Sequence, residues 1–435
     1  MPTLPEYDNW DATESARLVR AKEVSPEELL EAAIERIDSR NPPLNAVVTK
    51  LYDYGRTRVA NLPEDAPFRG VPFLLKDLKL QLRGTVTTSS TRLLKNATAT
   101  ESSVLAQRYE AAGLVVVGKT NTPEFGITGV TESRLRGACR NPWNTDRTSG
   151  GSSGGSGAAV GARMVAVAHG GDGGGSIRIP ASCNGIFGLK PTRGRVTMAP
   201  FMGEAWSGYV QEHVLTRSVR DSAALLDATD GPTPGEPYAA PHKERSWLDE
   251  VATMPGKLKI AFTEATLYAG ETAPECAAAL ADAVALLEDL GHEVVEARPD
   301  FPKEELVQAY FATVAAGIAY FVEATAKQAG VRPRAADFES TTWLLAQIGN
   351  KIPAGQLLGH QVNIQRAARQ VAAFFEEYDI LALPTMAKPP IRIGETALGS
   401  GQRAQLRALR MLPLKGLLDL AVNTMGNDAL SPFPN

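Results

Sequence analysis

Three times along this chain a stretch with helical periodicity gives way to a short apolar run, and that alternation most narrows the folds open to it. Residues from about Ser103 to Ala112 stop at Gly113 and lead into Leu114-Val115-Val116-Val117. Ala278 to Leu290 stop at Gly291 before His292-Glu293-Val294-Val295, and Gln370 to Glu377 precede Ile380-Leu381-Ala382-Leu383 and Pro384. Glycine ends a helix readily, and an apolar run too short for a helix reads as a buried strand. Helix then strand, repeated, predicts an α/β fold: a mixed, twisted central sheet flanked on both sides by helices.

Other signals fill in the organisation. Ser25-Pro26-Glu27-Glu28 combines an N-cap serine, proline at the first helical position and a glutamate three residues on, ahead of Leu29, Ala33, Ile34 and Ile37 at helical spacing. A further helix is expected after Ser218, carried by Val219, Ala223 and Leu226, and Gly231 to Gly256 reads as a linker or surface loop. Residues 302 to 378 read mostly helical and carry Tyr310, Phe311, Tyr320, Phe321 and Trp343, either as core or as apolar walls for a substrate. With no repeat or charge block, 1–435 is expected to form a single domain, with a core at about 65–200 and a helical pocket-lining part at about 300–378.

Composition excludes several classes of function. A net charge of −4 with no basic stripe argues against nucleic acid and anionic membranes, leaving a small-molecule partner. Cys139, Cys183 and Cys276 are too scattered for a disulfide framework or a Cys-x-x-Cys metal site, so a reducing cytoplasmic setting is expected. Met1 to Trp10 lack the pattern of an export signal, and the apolar stretch Leu306 to Val322 is broken by Gln308, Tyr310 and Thr313, so no membrane span is expected.

Chemistry concentrates in two glycine-serine runs: Gly150-Gly151-Ser152-Ser153-Gly154-Gly155-Ser156, and Gly170-Gly171-Asp172-Gly173-Gly174-Gly175-Ser176-Ile177-Arg178-Ile179-Pro180. A flexible linker does not fit the first, because Ala158, Ala159, Val160, Met164 and Val165 follow it. A phosphate loop needs a lysine, and none occurs between Lys119 and Lys190. The dinucleotide fingerprint fails where Ser176 stands in place of its last glycine. Gly151-Ser152-Ser153-Gly154-Gly155 matches a nucleophile elbow, but Asn141 to Arg147 read as loop rather than strand, and none of the five histidines has a distinguishing context.

The second run fits a nucleophile beside its own oxyanion hole: Gly173, Gly174 and Gly175 let backbone amides converge next to Ser176. Its hydroxyl still needs a base. Lys76, in the apolar run Gly70-Val71-Pro72-Phe73-Leu74-Leu75-Lys76-Asp77-Leu78, is the candidate, since burial disfavours an ammonium. A structural ion pair of Lys76 with Asp77 or Asp172 is the competing reading.

These motifs resemble the amidase signature family, hydrolases with a Ser–cis-Ser–Lys triad. The match runs through Pro72 to Asp77, Gly118-Lys119-Thr120-Asn121-Thr122-Pro123-Glu124-Phe125-Gly126, Asn141-Pro142-Trp143-Asn144, both glycine runs and Gly188-Leu189-Lys190-Pro191-Thr192. It is dense over 20–230 and thins to Val219-Arg220-Asp221, Leu383-Pro384-Thr385 and Asn423-Thr424-Met425-Gly426. Within the family the chain resembles bacterial amidases of nylon-type oligoamides and related urethane (carbamate) hydrolases. The resemblance implies Ser176 as nucleophile, Ser152 after a cis Gly151–Ser152 peptide as proton relay, and Lys76 as neutral base. It further implies an oxyanion hole of Gly173, Gly174, Gly175 and Ser176 amides, with Ser153, Asp172 and Arg178 in supporting roles.

The implied reaction is hydrolysis of non-peptide amide or carbamate C–N bonds in small, largely apolar substrates, without metal or cofactor. Gly126 and Ile127, together with Phe201, Trp206 and Tyr209, are expected to contact substrate, and homodimerisation is left open. Two departures stand out: Gly-Gly-Asp-Gly-Gly-Gly-Ser replaces the usual Gly-Thr-Asp-x-Gly-Gly-Ser, and the C-terminus is short for the family, with Asp428 at a proline position. Alternatives are the glutaminase subunit of a tRNA-dependent amidotransferase and a catalytically inactive relative.

Overall fold

The computed structural model describes residues 4–266 and 270–396; the expected Asn423–Phe433 motif lies outside them. Residues through Thr253 together with Thr325–Glu339 form one compact unit, and Met254–Ala324 with the described residues from Ser340 onward form a second. The sequence reading had taken the whole chain as one domain.

The first unit is built on a six-stranded mixed sheet. Its strands are β1 (Val47–Lys50), β2 (Pro72–Lys76), β3 (Val115–Thr120), β6 (Val167–Asp172), β7 (Phe187–Gly188) and β8 (Gln211–Thr216), in the order β1-β3-β2-β6-β8-β7. A separate two-residue hairpin pairs β4 (Glu132–Ser133) with β5 (Gly137–Ala138). β3, β2 and β6 run parallel, while β1, β8 and β7 pair antiparallel with their neighbours.

Both faces of this sheet are covered, as the unbroken apolar runs predict. Side chains alternate across it with period two. Leu74, Val115, Val117 and Ala168 pack with Leu29, Ala33 and Ile37 of the helix Pro26–Leu44 and with Ala158 and Ala159 of the helix Gly154–Gly161. Phe73, Leu75, Val116, Val167 and Val214 pack on the other side with Leu105 and Tyr109 of the helix Val104–Ala111 and Leu225 of the helix Val219–Thr229. Each large apolar side chain so buried is worth about 1.5–3 kcal/mol relative to exposure.

The expected helix starts are present. Ser25 and Glu28 form a reciprocal capping box, and the Ser218 side chain accepts from the Asp221 N–H. Gly231 to Gly256 is not wholly irregular, since Trp247–Val251 forms a short helix capped by Ser246.

The second unit contains a three-stranded parallel sheet of β9 (Lys259–Phe262), β10 (Glu293–Glu296) and β11 (Ile380–Ala382), in the order β10-β9-β11. The helix Pro274–Asp289 connects β9 to β10. Helical expectation over 302–378 is met by Lys303–Gln328, Ser340–Gly349 and Ala354–Phe374. Lys303–Gln328 is long and apolar enough to cross a membrane by length and composition alone, a test that a core helix also passes, and half of its apolar window is buried inside the protein.

Candidate active site

Lys76 closes β2 inside the sheet, where its neighbours on the strand, Phe73, Leu74 and Leu75, are fully buried. Only 1% of Lys76 is exposed, yet its Nζ lies 2.8 Å from Ser152 Oγ and 3.3 Å from the Gly171 carbonyl oxygen. Burial pulls its ammonium down to about 8, with Glu212 and Asp172 acting in the opposite direction. Among the described residues no carboxylate stands at ion-pair distance from it: Asp77 bonds Thr88 and pairs with Arg136, and Asp172 pairs with Arg178.

Ser152 follows a cis peptide bond from Gly151 and is buried just ahead of the helix Gly154–Gly161. The first glycine run serves close packing: a methyl group on Gly155 would collide with the backbone of Asn121, whose carbonyl accepts the Gly155 N–H at 3.1 Å. The loop after β6 carries Ser176, which is half-buried. Two contacts tie the runs together: Ser153 N–H donates to the Ser176 carbonyl at 3.2 Å, and Ser153 Oγ bonds the Gly171 backbone at 3.3 Å.

Asp172, fully buried, organises that loop. It accepts from the N–H groups of Gly175 (2.7 Å) and Ile177 (3.1 Å) and from the Arg178 guanidinium. Burial works to raise its carboxyl, but Arg178 and these backbone donors outweigh burial and hold it below the ordinary range. One expectation needs correction. Gly175 was counted among the oxyanion donors, but its N–H is committed to Asp172. The N–H groups of Gly174 and Ser176 make no hydrogen bond to the described residues. Gly174 is exposed and Gly173 half-buried beside them.

Other expected residues are placed unevenly. Gly126 packs on Ser152, since a methyl group there would stand 3.1 Å from Ser152 Oγ and 2.7 Å from Leu78. Ile127 follows it, half-buried. Trp206 reaches the loop that carries Ser176: a methyl on Gly173 would meet its ring at 2.6 Å. Tyr209 has the Arg193 guanidinium 4.9 Å above its ring, and the same guanidinium lies 5.5 Å from the ring of Tyr238. Phe201 is 41% exposed.

Two residues escaped the sequence reading. His169 on β6 is fully buried, with Nδ1 accepting the Lys76 backbone N–H at 3.4 Å and Nε2 3.0 Å from Glu212 Oε2. Glu212 on β8 pairs in register with Gly171. Neither carried a local signal: Glu212 stands in the mixed polar and apolar run Gln211-Glu212-His213-Val214-Leu215-Thr216, and His169 directly ahead of the second glycine run.

Comparisons with known proteins identify the family. The model of the Amidase family matches residues 28–431. A 6-aminohexanoate-cyclic-dimer hydrolase of Pseudomonas sp. (strain NK87) is 38% identical over 98% of this chain and 89% of that protein. Its counterpart from Paenarthrobacter ureafaciens is 39% identical over 92% of this chain and 82% of that protein. Among solved structures, 6-aminohexanoate cyclic dimer hydrolase complexed with substrate superposes with a TM-score of 0.89 at 36% identity, covering 99% of this chain and 88% of that one. A bacterial aryl acylamidase gives 0.82 at 30% identity, over 88% and 81%. The chain belongs to the amidase signature family of C–N bond hydrolases.

Proposed function

We propose that the chain hydrolyses amide bonds of small, largely apolar molecules, linear or cyclic oligoamides among them, through an acyl-enzyme on Ser176, and that aryl carbamates enter the same route. The observation that carries this reading is the 2.8 Å contact of a buried lysine, shifted toward neutrality, with a serine whose neighbour is bonded to the Ser176 backbone.

In this mechanism Ser176 Oγ attacks the carbonyl carbon. Its proton passes to Ser152 Oγ as the Ser152 proton passes to Lys76 Nζ. The tetrahedral oxyanion is held by the Gly174 and Ser176 N–H groups; each such donor is worth about 3–4 kcal/mol. Collapse breaks the C–N bond, and the relay returns the proton to the leaving amine. Water, deprotonated through Ser152 and Lys76, then attacks the ester and frees Ser176.

Similarity to the two cyclic-dimer hydrolases supports the oligoamide class. The test is a release assay over p-nitroanilides, linear amides, the 6-aminohexanoate cyclic dimer, aryl carbamates and glutamine, with Ser176→Ala as control. Fluorophosphonate labelling of Ser176 runs in parallel. Turnover of glutamine alone, or absence of labelling in folded protein, would sink the proposal.

A further inference from the structure

Lys76 cannot serve as a base by burial alone. A desolvated amine is neutral, but once it accepts a proton its ammonium must be tolerated in the same dry place. The two carboxylates that pull in its favour are unequal. Asp172 is gripped by Arg178, whereas Glu212, on the other side of Gly171, has no guanidinium on it among the described residues.

Gly171 lies between base and carboxylate. Its carbonyl accepts from Lys76 Nζ, and a methyl on its Cα would collide with Glu212 Oε2, so only glycine lets the carboxylate approach this closely. The strand register explains the placement, because Gly171 and Glu212 face each other on β6 and β8.

His169 completes the connection. Its Nδ1 accepts the Lys76 backbone N–H and is therefore unprotonated, so the ring proton sits on Nε2, facing Glu212. The ring is neutral in this tautomer and does not cancel the carboxylate. The Nε2 approach to Glu212 is close but bent, an electrostatic contact more than a linear hydrogen bond.

Charged and titratable groups around Glu212 come from four elements. Lys76 lies on β2 and Lys79 just beyond it, His169 and Asp172 on β6, Tyr109 on the helix Val104–Ala111, and His213 next along β8. Burial holds Lys79 well below an ordinary ammonium, with Glu212 opposing. Burial, reinforced by Glu212, keeps the Tyr109 phenol protonated, and burial holds His213 down to about 3.

We infer that Glu212, acting across Gly171 and seated by His169, is a positioning residue for the base: its negative charge steadies the ammonium that Lys76 becomes on taking the serine proton. The inference rests on Lys76 being the base of the proposed reaction. Glu212 makes no hydrogen bond or ion pair with Lys76, Ser152 or Ser176.

The test is the pH profile of kcat/KM on a p-nitroanilide. Wild type rises along an acid limb centred at about 8. Glu212→Gln keeps the shape and removes the charge, so the limb moves to lower pH by about one unit and the plateau falls by about tenfold. Glu212→Asp, which keeps the charge, returns the limb toward wild type. A merely structural Glu212 would lower the plateau and leave the limb in place, and that result, or an alkaline shift, overturns the inference.

His169→Gln serves if Glu212→Gln does not fold. Its amide reaches the Nε2 position without adding charge, so the plateau falls and the limb stays within about half a unit. A larger alkaline shift would mean that the ring had been cationic and was cancelling Glu212, which also overturns the inference. Wild type that neither turns over nor labels at Ser176 defeats the hydrolase reading instead, so the two failures are distinct.

Discussion

Arg178 grips Asp172 through two parallel contacts of 2.9 Å, Nε to Oδ2 and Nη2 to Oδ1. Since Asp172 also binds the Gly175 and Ile177 amides, the pair fixes the curvature of the loop that presents Ser176.

Arg178→Ala leaves a fully buried carboxylate without its cation. The expected loss is about 2–3 kcal/mol, below the cost for a fully buried pair because the Arg178 side chain is 44% exposed. The folded Asp172 carboxyl lies below its unfolded value, so its contribution is present above the unfolded pKa and lost as pH falls through the folded one. Thermal melts from pH 7 down to 3 should show the variant lower than wild type at neutral pH and converging with it in acid. Parallel curves would refute the linkage.

Lys76→Met should abolish turnover yet stabilise the fold at pH 7. The folded lysine at about 8 lies below an ordinary ammonium at 10.5, so the unfolded chain binds more protons between those values and wild-type stability rises with pH across that window. Below pH 8 the buried amine therefore costs up to about 3 kcal/mol, which methionine removes. Urea denaturation at pH 7 and pH 10 measures it, with the gap between variant and wild type closing at the higher pH.

Trp206→Ala opens the space over Gly173. The expected outcome is a KM raised about tenfold for large aryl amides, roughly 1.4 kcal/mol of lost contact, with small aliphatic amides little affected. Identical kinetics on both substrate sizes would remove Trp206 from the pocket.

Gly126→Ala places a methyl against Ser152 Oγ and Leu78 at a backbone φ of +70°, which favours glycine. We expect kcat to fall by about a hundredfold with KM nearly unchanged, because the displaced group is the relay. A change confined to KM would instead assign Gly126 to substrate binding.

Local pattern carried much of the architecture. The capping box at Ser25, the stop at Gly113 and the apolar runs of β2 and β3 were legible because each is decided within a few residues. β3 extends past its apolar run to Lys119 and Thr120, which the pattern missed because polar side chains there are buried by tertiary partners such as Thr87 and Ser156. Glu212 and His169 were invisible for a deeper reason: their meaning depends on β6 and β8 pairing in one register, and no local signal encodes a pairing across forty residues. The engagement of the Gly175 amide by Asp172 was hidden likewise, since a glycine run shows that backbone is accessible without showing what it faces.

The cation–π stack of Arg193 with Tyr209 and Tyr238 belongs to the segment that carries Trp206, whereas Lys76 is embedded in the sheet. In the proposed reaction, the machinery and the choice of substrate are thus borne by parts with different tolerance for change. A laboratory evolving this protein toward new polymers would do best to diversify 201–209 and leave the strands untouched, because variation there redraws what enters without rebuilding what reacts.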